Sequence, residues 1–186
     1  GLDLAPGSVA RCAEAVAGPG TGAVVGDAEV LPVGDASVDV VLCIESAACY
    51  PDIERFHREA VRVLRPGGHL LYADIVDARV VDAFARTFER LGMATVEQRD
   101  ITANVLAARD DRAERERLAF AAASDGQQQA VAEFSGVDDS HLYRILTTDH
   151  RYVLYRLQRT EVVDAPAGRL LSPDERAIAR ASAQIA

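Results

Sequence analysis

The sequence predicts an α/β domain with a doubly wound, mostly parallel sheet, and three observations between Val38 and Asp74 carry that expectation. First, Val38-Asp39-Val40-Val41-Leu42-Cys43-Ile44 is a near-continuous apolar run rich in β-branched residues. Runs without alternation suit a strand covered on both faces, as in a parallel sheet between helices. Second, Ile53, Phe56, Ala60, Val61 and Leu64 recur at helical spacing and stop at Arg65-Pro66-Gly67-Gly68, a basic last turn followed by breakers. Third, another apolar run, Leu70-Leu71-Tyr72-Ala73, ends on Asp74. Strand, helix and strand at this length make a βαβ unit with a right-handed crossover. Glu45 and Asp74 then stand at the ends of adjacent parallel strands, on the rim where open α/β sheets bind ligands.

The other elements follow in order. Gly1-Leu2-Asp3-Leu4-Ala5-Pro6 reads as the tail of a strand turning into a helix, roughly Ser8 to Ala17. A glycine-rich turn, Gly18 to Gly22, leads to a short strand, Ala23-Val24-Val25, and then to Gly26-Asp27-Ala28-Glu29 and Leu31-Pro32. Beyond Asp74, Val81, Phe84, Phe88 and Leu91 mark an amphipathic helix that ends at Gly92, and Ala94-Thr95-Val96-Glu97 reads as a strand. From Val105 to Ala123 the pattern is helical and highly charged, the composition of a solvated face. Gln127 to Val137 reads as one more helix, and Arg151 to Leu157 alternates as the last strand, expected to be the antiparallel one that doubly wound sheets carry. An excursion of about 50 residues between two strands is too long for a simple connector, so a helical lid is expected at about 103–148. Leu142, Phe134 and Tyr143 either face substrate there or pack within the lid. Residues 1–160 thus form one domain, and 161–186 a tail or docking helix that starts at Ser172-Pro173-Asp174-Glu175.

Composition excludes several classes. An apolar content of 49% with 26% charged residues is ordinary for a globular domain with a real core. A net charge of −9 argues against a nucleic-acid surface, which shows a basic patch. No apolar run approaches membrane-spanning length. Cys12, Cys43 and Cys49 are odd in number and lie in or beside predicted elements, which suits reduced thiols in the cytoplasm better than a disulfide framework. His57 rides a helix flank, His69 opens a strand, and His141 and His150 fall in the lid region. Their spacing matches no metal site, so no metal is expected.

The stretch from Asp39 to Gly68 resembles the class I methyltransferases that use S-adenosylmethionine. In that family a strand like Asp39-Val40-Val41-Leu42 precedes a helix closing on Arg62-Val63-Leu64-Arg65-Pro66-Gly67-Gly68. The resemblance extends over most of the chain to about Arg159 and implies a Rossmann-like sheet with the lid inserted before the last strand. It implies that Asp3 holds both ribose hydroxyls of the cofactor, a task suited to a carboxylate that accepts two hydrogen bonds. It implies that Asp27 and the Ala28 amide read the adenine edge, and that Leu4, Cys43 and Ile44 complete the cofactor site. Simpler readings stand beside these: a helix N-terminal acid at Asp3 and an Asx-turn at Asp27. The family's first strand and glycine-rich loop fall about 20 to 25 residues upstream of Asp3, ahead of where this sequence opens. The expectation is a fragment of a longer enzyme, with a split assembly or a degenerate relative as alternatives.

Methyl transfer from a sulfonium is an in-line displacement, so alignment does most of the work, and an oxygen acceptor also needs a base. Some natural-product O-methyltransferases carry Glu-Ser-x-His-His after strand 4; here Ala48 and Cys49 occupy the histidine positions. Asp74 remains as a candidate base or a cap for the next turn, with Glu45 positioning cofactor or substrate. The function expected is methylation of a small natural product, sugar or lipid on oxygen, with S-adenosylhomocysteine as the second product. A non-catalytic subunit completing a split enzyme, through a homodimer or a second chain that supplies the N-terminal segment, is the alternative. A nucleotide-binding oxidoreductase is disfavoured by Asp27-Ala28 and by the run from Arg62 to Gly68.

Overall fold

The computed structural model describes residues 1–16, 18–119, 124, 126–129, 140–160 and 167–183. In order these form β1 (Leu2–Asp3), α1 (Pro6–Ala15), β2 (Val24–Val25), β3 (Val38–Ile44), a 3-10 turn (Ala47–Cys49), α2 (Ile53–Val63) and β4 (Leu64–Asp77). Then come α3 (Val81–Arg90), β5 (Met93–Asp100), α4 (Thr102–Ala119), α5 (His141–Thr147), β6 (His150–Arg159) and α6 (Pro173–Ala183). The helical turn at 126–129 is the described part of the helix expected from Gln127 to Val137. Phe134 lies outside the described residues.

Two sheets form. β1 and β2 pair in parallel, and a four-stranded sheet runs in the order β3-β4-β6-β5. β3 and β4 are parallel, while β6 is antiparallel to both of its neighbours. In that sheet β6 alone is reversed, as expected for the last strand of such a fold.

β4 corrects one expectation. It spans fourteen residues rather than four, starting directly at the end of α2 and running through Arg65-Pro66-Gly67-Gly68. Gly67 there has φ 81°, and the register against β3 shifts between Val38 and Val40. At its far end β4 continues past Asp74 to Asp77, because β6 offers paired backbone as far as His150. Asp74 therefore sits inside a strand, not at its end.

Alternation along β4 sorts the core into two layers. Leu70, Tyr72 and Val76 join the main cluster with Phe56 and Ala60 of α2 and Phe84 and Phe88 of α3. Ala73 and Ile75 face the other way, against Tyr152, Leu146 of α5, and Val105 and Leu106 of α4. α4 thus presents an apolar stripe to the sheet, although its composition predicts a solvated helix. On the outer side of β3, Val40, Leu42 and Ile44 are exposed, Leu42 at 65%. They border a cleft of about 530 Å³ shared with Leu2 and Val24 of the smaller sheet and with Leu31 beyond it.

His57 also departs from expectation. It is on the buried face of α2, 0% exposed, among Phe84, Phe88 and Tyr72, with its ring centroid 4.2 Å from that of Phe88. Neither ring nitrogen has a hydrogen-bond partner among the described residues. Burial pushes its pKa down to about 3, against a weaker opposing pull from Asp52. The unfolded chain takes up this proton near pH 6.5, so His57 leaves stability intact above that pH. Between 6.5 and 3 stability declines by up to about 1.4 kcal/mol per pH unit as pH falls. His57→Leu should flatten this limb. By pH 5, thermal unfolding followed by circular dichroism should show the parent losing about 2 kcal/mol more than the variant relative to pH 7. Parallel pH profiles would sink the assignment.

Candidate active site

The carboxyl end of β3 turns tightly beside Ala73 and Asp74 of β4. The Glu45 amide continues the ladder by donating to Ala73 O at 2.9 Å, and Glu45 then adopts φ 48°, the left-handed region that side chains disfavour. This strain is held in place by Asp74, which is 2% exposed. Its Oδ2 accepts from the Ser46 amide at 3.1 Å and the Ala48 amide at 3.0 Å, and its Oδ1 from the Ile75 amide at 2.8 Å. Burial pushes the Asp74 carboxyl up, with the Ala48, Ile75 and Ser46 amides pulling the other way. Ser46 Oγ and the Tyr50 hydroxyl, 2.6 Å apart, close the loop.

Beside this loop, on the face covered by α4 and α5, lie Glu45, Tyr152 and Arg109. Arg109 Nη2 is 3.7 Å from Glu45 Oε1. Burial, then the Glu45 carboxylate, pushes the Tyr152 phenol well above its ordinary range. Sequence reasoning singled out Glu45 but missed Arg109 and Tyr152. The available signal was spacing: Arg109 follows Leu106 by three residues and Val105 by four, which places it on their face of the helix.

The other expected site residues lie along β1, β2 and β3. Asp3 ends β1, and its Oδ1 accepts from the Ala5 amide at 2.7 Å as the chain enters α1. The Asp27 Oδ1 accepts from the Glu29 amide at 2.8 Å, an Asx-type turn just beyond β2. Gly26 before it is required: a Cβ there would come within 2.9 Å of both Leu2 and Pro32. In both aspartates only Oδ1 is engaged among the described residues. β1 and β2 are register neighbours, Asp3 opposite Val25, so both carboxylates emerge at the same end of the small sheet. Leu4 and Ile44 are exposed apolar side chains, whereas Cys43 is buried and its thiol is pushed up to about 12 by burial and by Asp74. A cis-diol and an exocyclic amine are the partners such acceptor-only groups take, and exposed Leu4 and Ile44 suit an apolar ring. This set of acceptors therefore fits the hydroxyl and amine donors of an adenosine group.

Among the described residues no cluster of three or more histidine, cysteine or acidic side chains could hold a metal ion. No described helix is long and apolar enough to cross a membrane.

A family model described as Methyltransferase domain matches residues 1–72. The chain is 37% identical over 147 residues to the phthiotriol/phenolphthiotriol dimycocerosates methyltransferase of Mycobacterium tuberculosis, over 78% of this chain and 54% of that protein. It is 35% identical over 106 residues to the fatty-acid O-methyltransferase of Mycolicibacterium smegmatis, over 57% of this chain and 39% of that protein. The chain thus spans about half or less of the curated relatives it matches. In fold it is similar to the phosphoethanolamine N-methyltransferase 2 of Haemonchus contortus, solved with S-adenosylhomocysteine. That match has a TM-score of 0.71 at 16% identity, covering 87% of this chain and 43% of that one.

Proposed function

Because this chain belongs to the class I methyltransferases that use S-adenosylmethionine, we propose that it serves the methylation of an oxygen of a lipid-like natural product. One observation supports this above all: Asp3 and Asp27 project from the same end of two paired strands, each with an oxygen left over from its turn. When bound, the cofactor supplies an electrophilic methyl group. Asp3 would accept from its ribose hydroxyls, and Asp27 with the Ala28 amide would read its adenine edge. Leu4 and Ile44 would cover its apolar faces, with Cys43 contributing backbone.

The relatives named for lipid acceptors support a lipid-like substrate here. In this reading 103–148 walls the acceptor site, and 161–186 docks against the domain through α6. Glu45 positions acceptor or cofactor. Asp74 holds the turn and, for a hydroxyl acceptor, remains the candidate base. A second chain or a second copy would find its seat along the open edge of β3, at Val40, Leu42 and Ile44. Free thiols at Cys12, Cys43 and Cys49 suit a cytoplasmic setting.

Calorimetric titration with S-adenosylhomocysteine tests the reading. Binding is expected, and Asp3→Ala should weaken it at least tenfold, the equivalent of about 1.4 kcal/mol for charge-assisted hydrogen bonds lost. Binding that ignores Asp3→Ala would overturn the cofactor site.

A further inference from the structure

We propose that Arg109 is the acceptor-binding residue and that the acceptor it takes is the carboxylate of a long-chain acid. The inference deepens the methyltransferase reading above and rests on it.

Arg109 is 12% exposed, held beneath α4 on the face that carries Val105 and Leu106. Its Nη2 faces Glu45 at 3.7 Å, an ion-pair distance too long for a hydrogen bond. Its Nη1 is buried and has no hydrogen-bond partner among the described residues. Guanidinium groups keep their charge when buried, so a donor left bare costs about 1–3 kcal/mol or more. A cation held this way is half of a recognition pair. Its natural complement is a planar anion with two oxygens, which the guanidinium fork engages in parallel.

The surroundings define the rest of the ligand. Glu45, on its strained turn, stands on one side of the guanidinium at ion-pair distance, and the buried Nη1 on the other side is left for a ligand oxygen. The floor is apolar, formed by Leu106, Ile75 and Ile101 around Tyr152. A charged head against an apolar floor is the signature of an amphiphile.

Chemistry favours a carboxylate over an alcohol. An alcohol needs a base, and the candidate Asp74 is 2% exposed and already accepts from three backbone amides. A carboxylate is already ionised at neutral pH and needs none. One of its oxygens gives a lone pair to the methyl carbon of the sulfonium donor. The sulfur–methyl bond breaks with its electron pair remaining on sulfur. A methyl ester and a neutral thioether result, and no proton moves.

The test compares dodecanoate with dodecan-1-ol as calorimetric ligands for the parent chain, Arg109→Gln and Arg109→Lys, with S-adenosylhomocysteine titrated in parallel. Dodecanoate should bind the parent and lose roughly tenfold to hundredfold in Arg109→Gln, as expected for a charge-assisted pair. Arg109→Lys, which keeps the charge without the fork, should fall between. Dodecan-1-ol and S-adenosylhomocysteine should be insensitive to either change. Equal loss for acid and alcohol, dodecanoate binding indifferent to Arg109→Gln, or no dodecanoate binding by a parent that binds S-adenosylhomocysteine would each overturn the proposal. Arg109-dependent dodecanoate binding without S-adenosylhomocysteine binding would uphold the carboxylate site and overturn the methyltransferase reading instead.

Discussion

Asp74→Ala is expected to cost the chain about 4 kcal/mol of stability. The side chain is 2% exposed and is the acceptor for the amides of Ser46, Ala48 and Ile75, at 2.8 to 3.1 Å. Each buried donor left without an acceptor costs about 1–3 kcal/mol. For a chain of this length the melting temperature should fall by roughly 8–16 °C. Asp74→Asn separates this role from that of a base. An amide keeps one acceptor but turns a donor toward amides on the other side, so it should cost about half as much. Thermal unfolding by circular dichroism measures both. Unchanged melting temperatures in both variants would defeat the clamp and leave the base as the explanation of any lost rate. The pH sign supplies a further check. Burial raises the folded-state pKa of Asp74, so its contribution is fully present below its unfolded value and is lost as pH rises through the folded one. His57 works in the opposite sense, so the acid limb of stability belongs to His57 and not to Asp74.

What the sequence disclosed and what it hid divide along one line: contacts near in sequence leave a pattern, and contacts distant in sequence do not. The apolar run at β3, the helical spacing of Phe56 and Ala60, and the alternation of β6 are local, and the structure forms those elements where the pattern puts them. The extent of β4 was not legible, because pairing with β6 decides it and β6 lies far along the chain. A composition dominated by charge concealed Arg109, although it shares a face with Val105 and Leu106. Only the fold brings Glu45 to it. Asp3 and Asp27 are singled out by resemblance alone. Their structural surroundings alone, one turn each, are also those of ordinary turn aspartates. His57 reads as a helix-flank residue because the rings that enclose it, Tyr72, Phe84 and Phe88, lie far along the chain.

Glu54→Gln is expected to release α6 while leaving the sheet folded, at a cost of about 3 kcal/mol. Glu54 sits in the first turn of α2, 2% exposed, and its two oxygens accept from the amides of Leu170 at 2.9 Å and Leu171 at 3.2 Å. Those leucines are buried in the main core, and α6 begins just after them with a reciprocal cap between Ser172 and Glu175. A glutamine amide would turn a donor toward one of the two amides, leaving a buried clash of donors. The more visible contacts count for less. Arg169–Asp52 at 2.6 Å and Arg86–Glu175 at 3.1 Å involve largely exposed arginines, and such pairs contribute at most about 1 kcal/mol. Arg169→Ala should therefore barely matter. Amide hydrogen exchange distinguishes the two: Glu54→Gln should cut protection across 170–183 at least tenfold, with β4 and β6 unchanged. Equal effects from Arg169→Ala and Glu54→Gln would shift the docking to the surface pairs. The consequence reaches the acceptor side. Asp74 fixes the start of the loop at Ser46 and Ala48, and α6 packs on the same loop's 3-10 turn just ahead of α2. In the proposed reading a loosened α6 should thus weaken acceptor binding more than cofactor binding, since Asp3 and Asp27, the proposed cofactor carboxylates, stand at the other sheet.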